Sequence, residues 1–232
     1  MYTPVTVFVV VPAFNEAARL GRVLETMPPE VDHVIVVDDA STDGTSEIAK
    51  NVTLVRHEIN RGVGAAIASG YRKALSMPGA PNDAFVVMAG DGQMDPRDLP
   101  ALVLPITSGE AGYVKGNRFV HETIGDMPLA RRAGVGIFSI LTSAALGQRI
   151  HDSQCGFTAI SRAACEKLDL DLLWPRFGYP NDLLGMLARA GVTIAERPVA
   201  ALYPHTRNHL GARHVPTIAA ITFRVWKRRV WG

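Results

Sequence analysis

A chain of 232 residues with 47% hydrophobic composition is long for one ordinary domain but within the range of a single α/β unit, and it is apolar enough to build one core. Its two cysteines, Cys155 and Cys165, exclude both a disulfide framework and a Cys/His metal cluster, which suits a reducing cytoplasm and two small core residues. The net charge of +2 is unevenly spread: residues 197–232 hold seven Arg/Lys and no Asp/Glu, leaving 17 basic against 22 acidic groups in the rest of the chain.

The run Val5–Val11 has neither a basic leader nor a small-residue cleavage site, so it is expected as a buried strand and not as a signal peptide. No stretch reaches the roughly 18 uninterrupted apolar residues that cross a bilayer. Asn15 is placed to cap a helix in which Leu20, Val23, Leu24 and Met27 follow the 3.6-residue period until Pro28-Pro29 stops it. Strands follow at His33–Asp38, Thr53–His57 and Ala84–Met88, separated by a helix over Gly64–Ser76 that buries Ile67, Tyr71, Ala74 and Leu75. Beyond Asp91 the pattern predicts a helix at Leu99–Pro105, a strand at Tyr113–Lys115 and a long helix at Arg131–Leu146. Helices at Arg162–Leu168 and at Asp182–Ala190, the latter capped by Asn181, precede a strand at Val192–Val199. This alternation of short β-branched runs with helices predicts an α/β domain over residues 1–215 with a mostly parallel sheet. A basic helix over 216–232 follows, suited to an anionic membrane surface or a phosphorylated acceptor.

Ligands of open parallel sheets bind beyond the carboxyl ends of the strands, and three such ends here are unusually polar. The first is Pro12-Ala13-Phe14-Asn15-Glu16, the second runs from Asp38-Asp39 to Thr45, and the third is Ala89-Gly90-Asp91-Gly92-Gln93-Met94-Asp95-Pro96. Carboxylates converging at one sheet edge repel each other unless a cation or hydrogen-bond donors fill the space. Asp38 and Asp39 read either as turn residues accepting backbone N–H groups or as ligand-facing groups. Asp91 with Gln93 offers hard oxygen ligands for Mg²⁺ or Mn²⁺ shared with substrate phosphates, whereas Asp95 before Pro96 is expected to cap the next helix. Gly62 and Gly64 stand ahead of a helix, where backbone can approach a ligand closely. The Lys-Ser/Thr of a phosphate-binding P-loop and the full spacing of a dinucleotide fingerprint are both missing there.

Taken in order, the segments VVPAFNE, VVDDASTDGT, NRGVGAAIASGYRKAL, MAGDGQMDP, KGNRF, MPLARR, DSQCGFTAISR and FGYPNDLLGMLARAGVTIAERPV resemble family-2 glycosyltransferases. The likeness is strongest to the dolichol-phosphate mannose synthase and polyprenyl-phosphate glycosyltransferase branch, and it runs from about Val7 to Arg213. It implies a GT-A fold in which Pro12, Ala13, Glu16, Asp39 and Asp38 seat the base and ribose of a nucleotide-diphosphate sugar such as GDP-mannose or a UDP-hexose. The family's usual Asp-Ala-Asp-x-Gln metal motif reads Ala89-Gly90-Asp91-Gly92-Gln93, so the first carboxylate is absent and a weaker or altered metal shell is implied. Arg118 and Arg131 match positions that grip an acceptor phosphate, for which the planar, always charged guanidinium is suited. Arg207 and Arg213 fall where relatives place basic residues of a loop that closes on the donor diphosphate.

The implied activity is inverting sugar transfer to a polyprenyl or dolichyl phosphate, whose anionic oxygen needs no strong base, on the cytoplasmic face of a membrane. A hydroxyl acceptor on a small molecule or glycan would require a base, for which Asp182 matches the family position and Asp152 is the second candidate. No nucleic-acid partner is expected. A sugar nucleotidyltransferase would carry a Gly-rich N-terminal loop with Arg and Lys, which Pro12–Glu16 does not supply; Ala89 in the metal motif keeps a non-catalytic nucleotide-sugar binder as a further alternative.

Overall fold

The computed structural model describes residues 5–200, 202 and 215–231. Seven strands, β1 (Val7–Ala13), β2 (His33–Asp38), β3 (Thr53–Arg56), β4 (Ala84–Val87), β5 (Tyr113–Asn117), β6 (Thr158–Ser161) and β7 (Ile194–Pro198), form one sheet in the order β3-β2-β1-β4-β6-β5-β7. β1 pairs in parallel with β2 and β4, and β2 with β3. β6 runs antiparallel to both β4 and β5, while β7 is parallel to β5, so β6 alone is reversed.

Among the described residues eight α-helices accompany the sheet: α1 (Ala17–Glu25), α2 (Thr45–Ile48), α3 (Val63–Leu75), α4 (Leu99–Thr107), α5 (Leu129–Leu146), α6 (Arg162–Glu166), α7 (Tyr179–Arg189) and α8 (Val215–Trp231). The uninterrupted apolar run of β1 is buried on both faces because period-2 alternation sends Phe8 and Val10 one way and Val7, Val9 and Val11 the other. Phe8 and Val10 belong to a core with Ile67 and Tyr71 of α3, Leu183 and Leu187 of α7, and Ile221 and Val225 of α8. Val9 and Val11 belong to the second core with Leu20 and Val23 of α1 and Leu99 and Leu102 of α4. Each such fully buried aliphatic side chain stabilises the fold by about 1.5–3 kcal/mol relative to exposure.

The predicted strands and helices are present with ends shifted by a few residues; α2 is additional, and three further differences bear on the site. β6 is absent from the predicted strands, because Thr158–Ser161 is too short and too mixed to stand out in the sequence. The N-cap of α7 is Gly178 at φ 100°, not Asn181, which lies buried inside the first turn. Asn15 does not cap α1 either: it adopts φ 55° and its side-chain oxygen accepts the backbone N–H of Thr42 at 2.9 Å, leaving Glu16 at the N-cap. The reversal of β6 places its N-terminal approach, Asp152–Phe157, at the sheet edge where the parallel strands end.

Candidate active site

At that edge a cleft of about 390 Å³ opens, within the size range of pockets that enclose small molecules. Pro12, Ala13, Glu16 and Asp39 line it after β1 and β2; Asp91 and Gln93 follow β4, which lies between β1 and β5 in the sheet; Arg118 and Arg131 line it as well. Most residues singled out in the sequence therefore meet in one place, although they come from four different strand ends and a helix.

The turn after β2 divides the work of its carboxylates. Asp38 is fully buried and accepts the N–H of Ser41 at 2.8 Å and the hydroxyl of Ser46, which shapes the turn and keeps Asp38 off the cleft surface. Asp43 accepts the N–H of Ala17 and, at 2.6 Å, the hydroxyl of Thr45, and the Thr45 hydroxyl in turn accepts the N–H of Glu16. Ser41 accepts from the N–H of Asn15, so the loops after β1 and β2 are stitched together side chain to backbone. The hydrogen bond from Thr45 holds the exposed Asp43 carboxyl below its ordinary range.

Asp39 is the member of the pair that faces the cleft. Its Oδ1 meets His57 Nδ1 at 2.6 Å and accepts the N–H of Arg61 at 2.9 Å, and its Oδ2 accepts the N–H of Gly62 at 2.7 Å. His57 is itself fixed by Ser69 Oγ at 2.9 Å from Nε2. His57 carries no sequence signal for this role, since it stands at the end of a strand and its partners Asp39 and Ser69 lie 18 and 12 positions away. Gly64 does not face the cleft. A Cβ there would lie 2.1 Å from the carbonyl oxygen of Trp174, so this glycine admits the protein's own backbone, and Ala65 N–H donates to the carbonyl of Pro175 at 2.9 Å.

The far end is built from buried charge. Arg118, at the end of β5, makes a two-pronged pair with Asp152, Nε to Oδ2 at 2.7 Å and a terminal nitrogen to Oδ1 at 2.9 Å. Asp152 is fully buried and also accepts the N–H groups of Gln154 and Cys155, so it holds Arg118 at the cleft wall without reaching the surface. Burial pushes the Asp152 carboxyl up, but the charge and hydrogen bonds of Arg118, with Lys115 nearby, outweigh it and hold the group below the ordinary value. Lys115, fully buried in β5, donates to the carbonyl of Cys155 at 2.6 Å, and desolvation pushes its ammonium pKa down. Its position inside a strand of core residues gave no sequence signal for this role. Asp182 is fully buried as well: it accepts the N–H of Trp174 at 2.9 Å and lies 3.4 Å from Arg224 Nε of α8. Arg207 and Arg213 lie outside the described residues.

For a cation, the residues after β4 fit a shared site and not a protein cage. Asp91 Oδ1 accepts the N–H of Gln93 at 3.0 Å, and among the described residues no group of three His, Cys, Asp or Glu side chains converges. One carboxylate plus an amide oxygen matches the way Mg²⁺ is held with substrate phosphates and water. Asp95 caps the following turn, accepting the N–H of Arg97 at 3.0 Å, as its position before Pro96 predicts.

Residues 8–169 match the family model described as Glycosyl transferase family 2. The chain is a family-2 glycosyltransferase. This transferase is 33% identical over 201 residues to an uncharacterized protein of Methanocaldococcus jannaschii, covering 85% of the chain and 82% of the relative. It is 29% identical over 218 residues to the UDP-N-acetylglucosamine–dolichyl-phosphate N-acetylglucosaminyltransferase of Methanococcus voltae, covering 85% and 86%. It is also 30% identical over 206 residues to the undecaprenyl-phosphate mannosyltransferase of Micrococcus luteus, covering 83% and 82%. Among solved structures, glucosyl-3-phosphoglycerate synthase from Mycobacterium tuberculosis, in a complex with Mn²⁺, UDP and glucosyl-3-phosphoglycerate, superposes with a TM-score of 0.68 at 23% identity, over 97% of the transferase and 78% of the synthase. The transferase has the GT-A fold, with a mostly parallel mixed sheet flanked by helices.

Proposed function

We propose that this glycosyltransferase moves a sugar, with inversion, from GDP-mannose or a UDP-hexose to a polyprenyl phosphate. The observation that carries the reading is the chemistry of the cleft: two guanidinium groups, Arg118 and Arg131, line it, while Asp152 and Asp182, the carboxylates suited by sequence to act as bases, are fully buried and bonded to protein groups. A phosphate acceptor is already anionic at neutral pH and needs no proton removed, whereas a hydroxyl acceptor requires a base in reach. Relatives named for dolichyl-phosphate, polyprenol and undecaprenyl-phosphate substrates support the same acceptor class.

In this reading Asp39 receives an N–H of the donor's base and the Pro12–Glu16 loop flanks the nucleoside. Arg118 and Arg131 orient the acceptor phosphate, whose oxygen bonds to the anomeric carbon as the bond from that carbon to the donor's β-phosphate oxygen breaks, releasing the nucleoside diphosphate. Asp91 and Gln93 would hold Mg²⁺ or Mn²⁺, and an ion bound there would supply charge to offset that growing on the leaving diphosphate. Arg207 and Arg213 are proposed to assist that leaving group. A membrane-borne acceptor also accounts for the apolar face of α5, where Ile137, Ile140 and Leu141 recur at helical spacing and stand 59%, 72% and 45% exposed. The basic α8 packs beside α5 and suits the anionic cytoplasmic leaflet, in keeping with peripheral attachment there.

The test is to incubate the chain with MnCl₂, labelled GDP-mannose or UDP-hexoses, and a short polyprenyl phosphate. Label is expected in an acid-labile lipid phosphate; label passing only to water or to a soluble hydroxyl acceptor overturns the assignment.

A further inference from the structure

The C-terminal helix is not simply appended to the sheet. Gly178, the cap of α7 at φ 100°, is in close contact with α8: a Cβ there would sit 2.4 Å from Ile221 Cδ1 and force that side chain to shift. One turn further on, Val225 fills the notch at Gly185, where a Cβ would lie 2.8 Å from Val225 Cγ2. Arg224, between these two contacts in the helix, reaches the fully buried Asp182 at 3.4 Å, donates to the carbonyl of Leu172 at 3.0 Å, and lies 6.0 Å from the centre of the Trp174 ring.

Asp182 also accepts the Trp174 N–H, and it is the segment beginning at Trp174 that forms a wall of the cleft through Phe177, Gly178, Tyr179 and Pro180. The opposite side of the same segment is pressed on the start of α3: Trp174 and Pro175 meet Gly64, the Pro175 carbonyl accepts from Ala65, and Arg176 packs on Gly62. Gly62 and Arg61 in turn donate to Asp39. A continuous set of close contacts thus runs from α8 through Asp182 and the 174–180 wall to the Asp39 carboxylate.

We propose that Arg224 and Asp182 are positioning residues: their pairing makes α8 the back support of the 174–180 wall, so that seating of the C-terminal helix and grip on the donor nucleotide are coupled. The inference rests on the donor-cleft reading above. Asp182 then acts through the wall and not on a proton of the substrate. Since coupling between two sites is reciprocal, nucleotide in the cleft must also steady α8.

The experiment measures UDP and GDP binding to the full chain in MnCl₂ by calorimetry, together with amide hydrogen exchange over Val215–Trp231 with and without nucleotide. Nucleotide is expected to slow exchange in α8 of the wild type. Arg224→Ala is expected to weaken binding by about fivefold or more, a typical coupling strength, and to abolish that protection. Arg224→Lys, which keeps the charge but not the planar fork, should recover part of both. Lys227→Ala, exposed on the same helix, should change neither. If Arg224→Ala does not fold, Ile221→Val is read in the same two assays, with a smaller loss expected. Wild-type α8 exchange that ignores bound nucleotide, or an Arg224→Ala chain that binds as well as wild type, overturns the coupling alone. A wild type that binds neither nucleotide overturns the donor reading, and the coupling with it.

Discussion

At the Asp39 end of the cleft the carboxylate is held by groups no more than 23 positions away in the chain, through hydrogen bonds from two backbone amides and one imidazole. At the other end Arg118 is paired with Asp152 across 34 positions and Lys115 reaches Cys155 across 40, with charge buried at every step. The first arrangement is a set of separate hydrogen bonds to one carboxylate, whose members can fail singly. The second is a buried network in which loss of one member strands another, because a charge without its partner retains the full cost of desolvation.

Substitutions at four positions sharpen that contrast. Asp152→Ala strands Arg118 and is expected to cost about 3–5 kcal/mol in urea unfolding, the range for breaking a buried pair from one side. The same carboxyl gives the fold an acid dependence. Because its folded pKa is depressed, its contribution is complete above the ordinary value of 3.8 and disappears as pH falls through the depressed value, so the unfolding free energy should drop from about pH 4 downward, with a shallower slope in Asp152→Asn. An equal slope in the variant breaks the contrast. Asp91→Ala, on the cleft loop after β4, should lower transfer in a radiolabel assay by about a hundredfold or more with little change in unfolding. His57→Ala removes one of the three described supports of Asp39; nucleotide affinity measured by calorimetry should fall by about tenfold, in line with loss of a hydrogen bond to a charged group. Asp43→Ala, at the exposed stitch between the loops after β1 and β2, is expected to cost only about 1 kcal/mol in the melting curve. A larger loss there than at Asp152 would reverse the order of the two ends.

The same contrast explains what was legible beforehand. Strand ends rich in Pro, Asp, Ser and Gly announce themselves because the bonds that shape them, such as Ser41 to Asp38, span three positions. The sheet's parallel half and the composition of the cleft were readable for that reason. Asp38 and Asp39 were not separable, since neighbouring residues on a strand end point to opposite sides and only tertiary packing decides which one meets ligand. His57, Lys115 and the notches at Gly178 and Gly185 left no local trace: each gains its meaning from a residue far along the chain. β6 escaped because four residues flanked by a helix start and a loop carry too little period to read.

That reversed strand also sets an order of assembly. Once the chain has been made through Val87, β1 to β4 can pair among themselves, yet β4 keeps a bare edge until Thr158 emerges. β5, completed at Asn117, has β6 and β7 as its described neighbours and must wait for both. Synthesis therefore leaves a half-built sheet with one open apolar margin for as long as the intervening segment takes to appear, a stage at which unpaired edges invite pairing with other chains and chaperone contact is most valuable.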